Sequence, residues 1–123
     1  MKYMLLVHHQ EASFAQLSED TKSAMLDESV ALTHTLFASG QYLSASPLHE
    51  ASSAAIVRVR ERKTQISDGP FAETHEQIAG YFLVEASELN DAIRIAARVP
   101  GARIGTVEVR PVRAISPVTR NLT

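Results

Sequence analysis

The chain has 123 residues, which fits one domain, and its 45% hydrophobic and 21% charged composition is that of an ordinary globular protein. A formal charge of −2, with acids and bases mixed along the chain, leaves no basic patch to grip a phosphate backbone, so nucleic acid is not an expected partner. The absence of cysteine removes disulfides, thiolate nucleophiles and zinc–thiolate sites.

Lys2 to His9 reads as a strand that is apolar on both alternating sets, Met4 and Leu6 against Tyr3, Leu5 and Val7. The apolar run in "MKYMLLVHH" is too short for a signal-peptide core. No segment approaches the ~20 apolar residues that span a bilayer, so the expectation is a cytoplasmic protein with no membrane partner. Residues 10–17 read as a loop. Ser18 is the expected N-cap of a helix that runs to about Ser39, with Glu19 and Asp20 in its first turn and Gly40 as terminator. Its apolar face carries Met25, Leu32 and Leu36, flanked by Leu26, Val30 and Phe37.

Tyr42 to Ser46 reads as a short strand. Ala55 to Arg60 and Thr64 to Ser67 form a hairpin around Glu61-Arg62-Lys63, a turn without the usual Gly or Asn. Ile78 to Glu85 is a strand whose Gly80 marks a bulge or a close backbone approach. Ser87 is the expected cap of a second helix with a stripe of Leu89, Ala92, Ile93, Ala96 and Ala97, stopped by Pro100 and Gly101. Ile104 to Arg110 is the last core strand, residues 1–112 the domain and 113–123 a tail.

The order gives an α+β, ferredoxin-like βαββαβ fold with an extra hairpin: an antiparallel sheet with two helices on one face. Strands apolar on both sides then need a second cover. A two-fold homodimer stacking sheet on sheet is the expected solution.

The stretch "DGPFAETHEQIAGYFLVE", preceded by "VRVRERKTQIS" and followed by "EVRPV", resembles the DGPF branch of the YCII-related proteins, as do "MKYMLLV" and "GQYL". The resemblance covers roughly residues 1–112. It implies a ferredoxin-like protomer that dimerises into an α/β barrel, with a small-molecule cavity facing the second side of the sheet. It also implies either a small enzyme or a regulatory module associated with an extracytoplasmic-function sigma factor. The enzyme-like branch uses a His on the first helix and an Asp after the second. Here the first place falls near Ser29 and the second holds Val99-Pro100, so that pair does not carry over.

The candidate catalytic residues are Asp68, Glu73, His9 and His8. Asp68 before Gly-Pro can fix a turn through the backbone N–H groups that follow it, or serve as a general acid or base held at a stiff corner. Glu73 would modulate it as the second of a carboxylate pair if residues 70–76 form one turn. His8 and His9 point to opposite faces of their strand, so only one of them can reach a given cavity. Arg58, Phe71 and Tyr81 are the expected substrate-binding residues, Arg58 as an orienting cation for a small organic molecule, anionic ones included. No His pair has helical ligand spacing and no cofactor motif occurs, so neither a metal nor a cofactor is expected.

Overall fold

A computed structural model describes residues 1–115; of the expected tail, residues 116–123 lie outside the described residues. The strands are β1 (Lys2–His9), β2 (Tyr42–Pro47), β3 (Ala55–Arg60), β4 (Lys63–Asp68), β5 (Gln77–Glu85) and β6 (Thr106–Pro111). The helices are α1 (Glu11–Ala15), α2 (Glu19–Ala38) and α3 (Leu89–Ala96), with single 3-10 turns at Ala51–Ser53 and Pro100–Arg103. Four strands form one antiparallel sheet in the order β2-β5-β1-β6, while β3 and β4 form a separate two-stranded sheet. This is the ferredoxin-like arrangement, with a hairpin inserted between β2 and β5. No helix among the described residues is long and apolar enough to cross a membrane.

Alternation along the strands divides the sheet into two faces. Tyr3, Leu5 and Val7 of β1, with Phe82 and Val84 of β5, are buried under the helices. Met4 and Leu6, paired with Leu83 and Tyr81, are half-buried on the second face. There the Tyr81 hydroxyl and Ser44 Oγ share a 2.8 Å hydrogen bond.

α2 begins at Ser18, whose hydroxyl accepts the Thr21 N–H at 3.1 Å. It ends at Gly40 with φ of 77°, where the Gln41 N–H reaches back to the Leu36 carbonyl at 2.8 Å. Only Leu32 and Leu36, in its C-terminal half, are buried. The flanking Leu26, Val30 and Phe37 of the expected apolar face are exposed. The helix is thus anchored to the core toward one end and stands off the sheet toward the other.

Three local expectations need correction. Residues 10–17 are not all loop, because Glu11–Ala15 forms α1. A helix of five residues is too short to show periodicity, and tertiary bonds hold it. The Glu11 N–H donates to Gln77 Oε1 at 3.0 Å, and the Glu11 carboxylate accepts the Ala51 N–H at 2.8 Å. The N-cap of α3 is Glu88 rather than Ser87; Ser87 instead donates its N–H and hydroxyl to the Asp91 carboxylate. The buried stripe of α3 is Ala92, Ile95 and Ala96, continued by Val99. Leu89 and Ile93 flank it and are exposed.

Candidate functional site

Where α2 stands off the sheet, a cavity of about 700 Å³ opens. That size is ordinary for a small-molecule site. Its floor is the sheet at Val7, Ala45 and Phe82, its roof the N-terminal half of α2, and its far wall the segment Val99–Gly101. In the single chain it lies on the helix-covered face, not on the second face where the resemblance placed it.

Two local features of the backbone shape this space. Between Val7 and His8 the β1–β5 register slips, leaving Ala79 as the extra residue of a bulge. Next to it, a Cβ on Gly80 would stand 2.7 Å from the Ser46 carbonyl oxygen, so only glycine lets the end of β2 lie this close. Both readings of Gly80 therefore hold, a bulge beside it and a close approach at it.

The bulge sits where β1 delivers His9 to the mouth of the cavity. The His9 ring stacks on Phe14 of α1, with centroids 4.6 Å apart and planes inclined by 28°. Lys22 Nζ lies over the other part of this stack, 5.6 Å from the Phe14 centroid. The Lys22 ammonium also donates to the Ala15 carbonyl and the Glu19 carboxylate, each at 3.3 Å. Burial holds the His9 pKa below the ordinary imidazole value, against the opposing fields of Glu11 and Glu76, and no hydrogen bond among the described residues contributes. At neutral pH His9 is an uncharged base whose ring nitrogens have no hydrogen-bond partner among the described residues.

The other expected site residues fall elsewhere. His8 faces the second side of the sheet, with Nε2 3.2 Å from Glu108 Oε1. The pair of histidines thus divides as strand alternation requires. Tyr81 borders the cavity, but its hydroxyl is taken by Ser44 on the second face. Asp68, at the end of β4, is exposed, as are Glu73, Arg58 and Phe71, and none of these four lines the cavity. Arg58 lies over the Phe71 ring at 5.6 Å. Residues 70–76 form bends rather than the helical turn that would bring Glu73 back to Asp68. The corner is held by the Gly69 N–H bonded to the Ala54 carbonyl at 2.7 Å, with Gly69 at φ of 92°; the Asp68 carboxylate has no bond to the following N–H groups among the described residues. Among the described residues no group of three His, Asp or Glu side chains is placed to hold a metal ion.

Residues 1–116 match the YCII-related domain. The chain belongs to the YCII-related family. A relative in Rhizobium meliloti (strain 1021), the uncharacterized protein R00369, is 28% identical over 119 residues, covering 95% of this chain and 96% of the relative. Ser29, near the place where the resemblance led one to expect a His, and Val99-Pro100, where it led one to expect an Asp, all line the cavity. Sequence reasoning passed over Phe14 and Lys22, which complete the His9 stack. Their signal was weak, since Phe14 sits in a helix too short to read and Lys22 looks like an ordinary first-turn charge.

Proposed function

We propose that this YCII-related protein binds a small, largely apolar organic molecule in the cavity beneath α2 and does acid–base chemistry on it with His9 as the proton carrier. The observation that carries this reading is a partly buried, neutral imidazole at the mouth of an apolar cavity, with neither ring nitrogen bonded among the described residues. A base of this kind is unprotonated at working pH and can take a proton without first releasing one. The working unit is a homodimer stacked through the second face of the sheet, which is supported by the half-buried Met4, Leu6, Tyr81 and Leu83 there. A second reading, a binding or regulatory module without turnover, is favoured by Ser29 and Val99-Pro100, none of which carries an acid or base that titrates near neutral pH. A partnership with a sigma factor would belong to this second reading.

The test begins with a ligand found by thermal-shift screening. His9→Gln should then keep binding within about threefold and lower turnover by roughly 10²–10⁴-fold. Asp68→Asn should leave turnover within about twofold. Unchanged turnover in His9→Gln would remove His9 from the mechanism, and loss in Asp68→Asn alone would move the chemistry to the hairpin corner. Binding with no turnover in the native protein selects the second reading.

A further inference from the structure

The charge at the cavity mouth narrows the ligand. The walls are apolar, formed by Val7, Met25, Val30, Phe82, Val99 and Ile104 among others, so the ligand body is apolar. Among the described lining residues Lys22 is the one Lys or Arg, and its ammonium is already engaged by Glu19 and the Ala15 carbonyl. Glu11 and Glu50 line the same mouth, and Glu76 lies close enough for its field to reach His9. The carboxylates in the described ion pairs are those of Glu19, Glu28, Glu85, Asp91 and Glu108, so no described cation cancels Glu11, Glu50 or Glu76. The Glu11 carboxylate gives one oxygen to the Ala51 N–H and keeps its negative charge. His9 adds no positive charge at neutral pH and offers a hydrogen-bond acceptor.

We infer that the cavity takes an organic amine: an apolar body lies beneath α2 and a protonated amino group sits at the mouth beside His9, Glu11 and Glu50. An anionic head of the same size would meet uncompensated carboxylates and, among the described lining residues, no unengaged Lys or Arg, in a site that strips part of its hydration. An ammonium at this open mouth keeps some water, gains the attraction of the carboxylates and can donate an N–H to the imidazole. This inference rests on the reading of the cavity as a ligand site.

The experiment compares three probes of one body on the full chain at pH 7.5: 2-phenylethylamine, 2-phenylethanol and 3-phenylpropanoate, by calorimetry or ligand-observed NMR. The amine should bind at least tenfold more tightly than the carboxylate, with the alcohol between them. Raising the salt, or replacing Glu50 and Glu76 together by Gln, should shrink the amine's advantage at least threefold while leaving the alcohol unchanged. Glu50 is exposed and Glu76 half-buried, and the alcohol's unchanged affinity reports that the variant is folded. A carboxylate that binds as tightly as the amine overturns the charge assignment and leaves the cavity as a ligand site. Failure of all three probes to bind at millimolar concentration overturns the cavity reading itself.

Discussion

His9 owes its partial burial to its place on β1. Val7, two residues before it, lies on the same face in the core, while its immediate neighbour His8 is turned by strand alternation to the second face. Burial depresses its pKa, and the sign of the consequence follows. In the unfolded chain the imidazole titrates at about 6.5. Between that value and the lower folded one, the unfolded state holds a proton that the folded state refuses. Stability therefore rises with pH through this window and is lost as pH falls through it; below the folded value the contribution is flat. Subtracting the His9→Gln stability curve from that of the native protein, by urea unfolding from pH 7.5 to 4.5, should isolate this slope. A difference curve that is flat across the window, or that slopes the other way, would contradict a desolvated His9. The same position was only half legible beforehand. Alternation showed that one of the two histidines would face each side, but not which, because β1 is apolar on both sides.

The β3–β4 hairpin shows what an element looks like when the sheet does not support it. Val57, Val59 and Ile66 are exposed, and the hairpin pairs with no strand of the main sheet. Its turn places Glu61 at φ of 51° and Arg62 at 65°, the type I′ geometry that Asn-Gly adopts without strain. Left-handed conformations cost side-chain-bearing residues about 1–2 kcal/mol each. Glu61→Asn with Arg62→Gly should raise hydrogen-exchange protection of the β3–β4 ladder at least tenfold, about 1.4 kcal/mol, while the global melting temperature moves little. Unchanged protection would show that something other than the turn limits the hairpin. The hairpin itself was readable from the alternation of Val57 and Val59 with Arg58 and Arg60. Its turn type was not, since Glu-Arg carries no left-handed signature. α1 was missed for the opposite reason: its fold comes from the bonds of Glu11 to Gln77 and Ala51, partners 66 and 40 residues away.

At the scale of the molecule, β1 and β5 were legible because they are long, apolar and placed by the order of the elements. That order was enough to give the ferredoxin-like sheet. The cavity was not legible, because it comes from the unequal packing of α2: Leu32 and Leu36 are buried, while Leu26 and Val30, equally apolar in sequence, stand open at its rim. The second face still calls for a cover. Leu83 is half-buried there beside Met4, so Leu83→Glu should convert a sedimenting dimer to a monomer at low micromolar concentration, by placing a charge in an apolar stack. A native protein that sediments as a monomer would contradict the stacked homodimer. Whether His9 meets a ligand in the cavity decides its function. The most direct test is NMR of the imidazole ring resonances through a pH titration, with and without 2-phenylethanol. His9 should titrate below the ordinary imidazole value and shift on addition of the probe, while the resonances of His8, on the opposite face, should not respond to it. Perturbation confined to His8 or to the hairpin, with His9 unmoved, would contradict ligand binding at His9.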